Sequence, residues 1–297
     1  MWRADVFNME ETYPAGDEHV IEAIGRARVV IREGRVVEVG EPVIEDCPLA
    51  RRFAVPVTAM EPDAIRANME ARIRSFGMCT PDRQVLSEAD FVLFGASELM
   101  MQGLRSGLLD AAVLACDGAG TVVVADPALV QGIGGRMSGL VKTTPYPAVI
   151  ERIRDAGGAV VFPETAEIDQ VDGALYALEH GYERIAVTVA GQEMAEGVRA
   201  AAPAALIIAV HTTGLTAAEA ERLVAVADIT TACASGTVRE AARTKALVQG
   251  GTGVPIFALT ERGKALVMAK LSVTPMPLLI KGGPLPPSGD GCPSPLI

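Results

Sequence analysis

Apolar and polar positions change period several times along this chain. The run RVVIREGRVVEV over 28–39 alternates Val and Ile with charged residues on both sides of Glu33-Gly34, which predicts two strands joined by a tight hairpin turn. The preceding segment 18–24 predicts a short helix. From Glu61-Pro62-Asp63 the period lengthens: Ile65, Met69 and Ile73 recur at i, i+4 and i+8 behind a proline in the first turn, so one helix with a buried stripe is expected up to Phe76. A second helix is expected to end near Gly107, followed by a strand at 111–115, a DGAG turn and a strand at 121–125. Beyond Pro127 the stretch VQGIGGRMSGLVKTTPYP carries so many turn formers that it reads as an irregular loop, with a helix at 147–156 and a strand at 159–162 behind it.

From Val171 the alternation becomes regular. Helices are expected at 171–180, 193–201, 217–226, 237–247 and 262–270, with strands at 184–189, 205–210, 228–232 and 254–259 between them. Short connections between alternating strands and helices predict an α/β fold whose C-terminal half is a mainly parallel sheet wrapped by helices. The N-terminal half is expected to be mixed α/β with hairpins. The organisation that follows is a weakly ordered arm at 1–16, an α/β domain at 17–165, a Rossmann-like domain at 166–270 and a Pro/Gly-rich tail at 271–297. The apolar PLLI and SPLI stretches of that tail are candidates to dock on the body.

Composition narrows the partners. The chain is 49% hydrophobic but only 4% aromatic, so its core must be aliphatic. With 26 Lys and Arg against 37 Asp and Glu the net charge is -11, which argues against nucleic acid and anionic lipid as partners. The longest unbroken apolar stretch, 204–210, is far short of the ~20 residues of a membrane span, and acidic residues stand where a secretory leader would be basic, so a cytoplasmic protein is expected. Cys47, Cys79, Cys116, Cys233 and Cys292 are odd in number and include no CxxC pair, so they are read as thiols or ligands rather than disulfides.

In parallel α/β sheets ligands sit beyond the carboxyl ends of the strands, and that rule selects candidates. His211, one of three histidines, follows a strongly apolar strand and is the candidate general acid or base; a loop histidine satisfied by backbone is the plainer alternative. Thr212 and Thr213 beside it are candidate ligand contacts or helix caps. Asp117 stands at a strand end, either in catalysis or making the Asp-Gly turn, and Glu98 is the other retained acid. Gly132, Gly134, Gly135, Arg136 and Ser138 form a candidate anion cradle of bare backbone N–H groups, a guanidinium and a hydroxyl, matching neither the dinucleotide fingerprint nor the Walker motif. Cys79, Cys116 and Cys233 lie at element ends from which they could converge on an iron–sulfur cluster or another thiolate-bound metal, Cys233 alternatively acting as a nucleophile with His211. Buried aliphatic-like thiols are the ordinary alternative.

A series of segments also resembles a known family. DEHVIEAIGRARVVIREGRVVEVGEP, FGMCTPDR, ACDGAGTVVV, VQGIGGRMSGL, TTPYP, AVTVAG, AVHTTG, ITTACAS and PIFALTERGK, in this order from about Asp17 to Lys270, resemble methanogenesis marker protein 8, a domain of unknown function. The positions matching its recurring motifs are Cys47, Cys79, Cys116, Asp117, the Gly132 to Gly139 stretch, His211 and Cys233. The resemblance implies a setting in methane-producing metabolism and no particular reaction. Two expectations follow: an enzyme or cofactor-handling protein acting on an anionic small molecule at a cysteine-lined site, or a non-catalytic accessory or assembly factor for a partner metalloenzyme. A nucleotide-binding regulator using the glycine-rich stretch is a third, and a homo-oligomer is compatible with each.

Overall fold

In the computed structural model the described residues are 13–136, 139–280, 282–285 and 291–297. The fold is α/β, as the alternation predicts, and is built on two sheets. The smaller contains β1 (His19–Glu22), β2 (Arg28–Arg32), β3 (Arg35–Val39) and β6 (Gly139–Lys142) in the order β3-β2-β1-β6, all antiparallel. Its hairpin turns at Glu33 and Gly34, both at positive φ (48° and 64°), the conformation a two-residue turn between right-twisted strands demands. Helix α1 (Pro62–Phe76) lays the expected stripe, Ile65 and Met69, against Ile21, Val29 and Ile31 of this sheet. The segment expected as a helix at 18–24 is instead β1 followed by a single 3-10 turn, because its apolar residues pair across to β2 and are too few to show a period.

The larger sheet takes strands from both sides of residue 165. It contains β4 (Ala111–Cys116), β5 (Gly120–Val124), β7 (Ala159–Val160), β8 (Ile185–Ala190), β9 (Leu206–Val210), β10 (Ile229–Thr231), β11 (Val248–Gly250) and β12 (Ile256–Ala258), in the order β11-β12-β10-β9-β8-β4-β5-β7. The four central strands β10, β9, β8 and β4 are parallel, and both flanks are antiparallel. The strand expected at 254–259 therefore runs against the parallel set. Helix α8 (Gly236–Ala242) stops short of the expected 247, and Val248–Gly250 turns back through Gly251 to pair with β12.

Helices α5 (Gln170–Glu179), α6 (Gln192–Ala201), α7 (Ala217–Val226) and α8 cover one face of this sheet. Helices α2 (Ala96–Arg105), α3 (Pro127–Gly134), α4 (Pro147–Asp155) and α9 (Glu261–Ser272) cover the other. Both interfaces are aliphatic, as the shortage of rings requires, with Phe257 and Tyr146 among the few buried aromatics. The stretch expected to be an irregular loop is thus mostly regular: α3, capped by the Asp126 carboxylate accepting from Ala128 and Leu129 N–H, and then β6. Gly132 lies within α3 because a Cβ there would come within 2.1 Å of the Val85 carbonyl oxygen, so the glycine serves close packing. No helix among the described residues is long and apolar enough to cross a membrane.

Of the expected tail, Leu279 and Ile280 of PLLI are 93% and 76% exposed, so that stretch stays off the body. The SPLI end docks. Ser294 pairs with Asp46 in an isolated bridge, Ile297 N–H donates to Ala234 O, and Gly236 N–H donates to Ile297 O. The first 12 residues of the expected arm lie outside the described residues, while Tyr13 packs edge-on against Tyr146 with ring centroids 6.3 Å apart.

Candidate functional site

The parallel strands deliver their carboxyl ends to one rim of the large sheet. Along it stand Cys116-Asp117 after β4, Gly191 after β8, His211-Thr212-Thr213 after β9 and Cys233 after β10. Neighbouring strands are about 4.8 Å apart, so the ends of β4 and β10, with two strands between them, stand roughly 14 Å apart. That separation divides the cysteines. Cys79 and Cys116 lie within electrostatic reach of each other at one end of the rim, and Cys233 lies near Cys47 at the other. Cys79, Cys116 and Cys233 do not converge, and among the described residues no group of three or more His, Cys, Asp or Glu is placed to hold a metal ion.

The β4 end is sealed by polar bonding. Asp117 has no exposed surface: one carboxylate oxygen accepts from Arg83 Nε at 2.9 Å and the other from Cys79 N–H at 2.6 Å. Arg83, equally buried, also donates to the carbonyls of Gln84, Gly132 and Ile133. Burial disfavours the guanidinium charge, and Asp117 beside it more than offsets this, leaving Arg83 held protonated. Burial and the Asp117 charge push both the Cys79 and Cys116 thiols up, so both are protonated and inert. Asp117 also makes the turn into β5, the plainer of its two expected roles.

A second buried network adjoins the first. Tyr146 OH donates to Asp17 Oδ1 at 2.8 Å and lies 2.8 Å from His19 Nε2, while His19 Nδ1 meets Thr143 Oγ1 at 2.7 Å. Thr143 Oγ1 also accepts from Gly118 N–H, which ties the small sheet to the β4 end. Burial opposes the Asp17 carboxylate, but hydrogen bonds from His19, Tyr146 and Glu33 N–H outweigh it and hold its pKa low. Burial and Asp17 together push the Tyr146 phenol up. Spacing along the chain did not point to Asp17, His19, Arg83 or Tyr146; the one available signal was that His19 is one of only three histidines.

The β10 end is also occupied. Thr212 Oγ1 donates to Thr231 O at 2.7 Å, and Thr213 Oγ1 accepts from Ala234 N–H at 3.2 Å, so both threonines tie β9 to β10. The Cys233 thiol lies 3.8 Å from Thr231 Oγ1 and is pushed up by burial.

His211 is different. It has a φ of 54° in the left-handed region, which a non-glycine residue adopts at a cost. Its ring is half-buried beneath the small sheet, where a Cβ on Gly139 would lie 3.1 Å from Nδ1, and among the described residues it has no hydrogen-bond partner. Burial lowers its pKa while the nearby Glu22 carboxylate works the other way, so the neutral ring prevails at neutral pH. Glu22 accepts from Arg26 Nε at 3.1 Å, and Arg26 reaches over Gly214.

Arg136 follows α3 and sits three residues before Gly139, so its Cα is within about 11 Å of the strand that covers His211. Its guanidinium stacks 5.2 Å from the Phe76 ring centroid, and Arg83 approaches the same ring at 5.1 Å. Burial and repulsion from Arg83 lower its pKa. Its Nη1 is buried with no hydrogen-bond partner, and it forms no ion pair among the described residues. Of the rest of the expected cradle, Gly134 packs on Ser97, Gly135 turns over the Gln131 side chain, and Ser138 lies outside the described residues. Glu98 is buried, accepting from Phe91 and Val92 N–H and from Gln131 Nε2, so it holds α2, α3 and the segment leading into α2 together.

Similarity to other proteins agrees with the extent of this fold. Over 284 residues, 95% of this chain and 100% of the relative, the sequence is 40% identical to uncharacterized protein MJ0054 of Methanocaldococcus jannaschii. Residues 19–272, which include both sheets and every rim residue named above, match the model of a family described as uncharacterized protein conserved in archaea, DUF2099, and the chain belongs to that family.

Proposed function

We propose that the protein binds an anionic small molecule at the rim between β8 and β9, with Arg136 gripping the anion and His211 exchanging a proton with it. The observation that carries the reading is the buried Arg136 Nη1, which has no hydrogen-bond partner. A buried donor without a partner costs roughly 1–3 kcal/mol, more when charged, and a bound anion removes that cost. His211 supports the enzymatic form of the proposal: a neutral imidazole with no partner of its own is available as a base. The resemblance to methanogenesis marker protein 8 gives the setting we propose, a cytoplasmic step associated with methane-producing metabolism. No thiolate-bound metal or iron–sulfur cluster enters the proposal, since Cys79, Cys116 and Cys233 fall in two places.

The test is thermal denaturation in millimolar phosphate, sulfate or succinate against chloride at matched ionic strength, for wild type and Arg136→Gln. A ligand that binds only the folded state raises its stability by RT ln(1 + [L]/Kd). At least one anion should raise the wild-type midpoint and leave Arg136→Gln unmoved. Equal responses in the two proteins, or no response beyond chloride, refute the proposal.

A second reading, an accessory factor for a partner metalloenzyme, is favoured by the exposed Leu279 and Ile280. Replacing both with Ser should then abolish co-purification of a metalloenzyme from the native host; unchanged co-purification counts against it.

A further inference from the structure

Glu98, in the first turn of α2, is a buried carboxylate without a counter-charge. It is only 2% exposed. Its Oε1 accepts from Phe91 N–H at 3.0 Å, Val92 N–H at 3.3 Å and Gln131 Nε2 at 3.1 Å, and its Oε2 accepts from the Ser97 hydroxyl at 3.0 Å. All four donors are neutral. Among the described residues Glu98 forms no ion pair, and Lys270, the buried amine of the helix packed on α2, is taken by Asp90. A buried charge is ordinarily paired or bound to a metal ion, and four neutral hydrogen bonds leave the full negative charge in place.

Gln131 of α3, also 2% exposed, supplies a second and independent sign. Its Nε2 donates to Ala89 O at 2.8 Å as well as to Glu98, while its Oε1 is buried with no hydrogen-bond partner. Turning the amide over gives no remedy, because its oxygen would then face the Ala89 carbonyl and the Glu98 carboxylate, two acceptors. The orphan oxygen is therefore forced. Amide geometry places it about 4–5 Å from Glu98 Oε1. An orphan acceptor beside an uncompensated carboxylate calls for a cation, which serves both at once.

We infer that Glu98 and Gln131 together bind a monovalent alkali cation. Glu98 Oε2 and Gln131 Oε1 retain acceptor capacity, and one ion with oxygen ligands at about 2.3–2.8 Å bridges oxygens up to about 5 Å apart. With a single carboxylate present, one positive charge neutralises the site, whereas a divalent ion would bury an excess charge. Carboxylate, amide and hydroxyl oxygens are hard ligands and do not suit a soft metal. This donor set contains one acid, so it differs in kind from the clusters of three or more His, Cys, Asp or Glu that are absent among the described residues. The ion would fix α2, α3 and the segment around 89–92 to one another, and it needs no anion at Arg136.

The experiment is thermal denaturation of the native full-length protein in sodium, potassium and tetramethylammonium chloride at matched ionic strength. Tetramethylammonium is too large for the site, so sodium or potassium should raise the midpoint above it, saturably and by about 2–5 °C. Glu98→Gln should lose that difference. Titrating the preferred ion into wild-type protein held in tetramethylammonium chloride should also shift the Gln131 side-chain amide resonance, with the same midpoint concentration as the thermal response. Both wild-type measurements survive any folding failure of Glu98→Gln. Equal midpoints in the three salts overturn the inference, as does a Gln131 amide that does not move, or a size-selective response that persists in a folded Glu98→Gln protein.

Discussion

Asp117→Asn separates a buried structural anion from a catalytic one. In the wild type each Asp117 oxygen accepts a hydrogen bond, from Arg83 Nε and from Cys79 N–H, in a place without solvent. Asparagine keeps the shape but replaces one oxygen with an NH2 group, so whichever way the amide turns, a donor faces a donor. The variant also leaves Arg83 buried without its counter-charge. Breaking a buried pair by removing one partner costs about 3–5 kcal/mol. The carbonyls of Gln84, Gly132 and Ile133 still solvate the guanidinium, which places this case near 3 kcal/mol. At about 2–4 °C per kcal/mol that corresponds to a fall of roughly 6–12 °C in Tm. Urea unfolding followed by far-ultraviolet circular dichroism measures the cost, with Arg83→Met and the double variant completing a cycle. Removing the cation as well removes the uncompensated charge, so the double variant should lose at least about 1 kcal/mol less than the two single losses together. Strict additivity, or a loss under about 0.5 kcal/mol in Asp117→Asn, would refute the structural role and return Asp117 to the candidate catalytic residues.

Three further outcomes follow from the same geometry. Burial sets the His211 pKa below its unfolded value, so the unfolded chain takes up its proton first as pH falls below about 6.5, and stability present above that pH erodes until the folded-state pKa is passed. His211→Asn, whose new side chain tolerates the left-handed backbone, should flatten that part of the slope in urea midpoints between about pH 7 and pH 5; an identical slope would contradict the burial. Gly132→Ala should destabilise by about 1–3 kcal/mol or more, because the added methyl meets the Val85 backbone, and a neutral result would show that the contact yields. Tyr146→Phe removes the hydroxyl shared by Asp17, His19 and the Cys79 carbonyl and should cost about 1–3 kcal/mol by the same denaturation assay, with no loss if water takes its place.

Period and turn chemistry made the local structure legible. The hairpin at Glu33-Gly34, helix α1 from its proline and helix α7 over 217–226 stand where the pattern predicts them, because each is defined by residues within a few positions of one another. The failures have one cause. Gly132 and Gly134 suggested flexibility, yet they sit in α3 to let Val85 and Ser97 approach, a requirement set by residues more than 30 positions away. The strand-end rule placed Cys116, His211 and Cys233 at strand ends but could not say that Cys116 and Cys233 stand three strand positions apart along the rim, since strand order is invisible to periodicity. Likewise, Asp17 and His19 meet Tyr146 across more than 120 residues of chain, so no spacing linked them.

The rim itself indicates where a ligand can enter. At the β4 end Asp117 has both oxygens engaged, with Arg83 and Cys79 packed around it. At the β10 end Thr212 and Thr213 bond their neighbours, and the segment carrying Cys292 and Ile297 lies over Ala234 and Gly236. Between these closed ends stand Gly191, which starts α6 at a φ of 84° without a side-chain cap, and His211, whose ring lacks a partner among the described residues. The small sheet approaches this same stretch, because β6 pairs with β1 and thereby sets Gly139 against His211 and Glu22 beside it. Arg136, whose buried Nη1 has no hydrogen-bond partner, stands three residues before Gly139, which lies against the His211 ring. If the two act on one molecule, Arg136→Gln and His211→Asn must weaken the response to the same anion. Loss with Arg136→Gln alone would place the anion outside the β8–β9 gap.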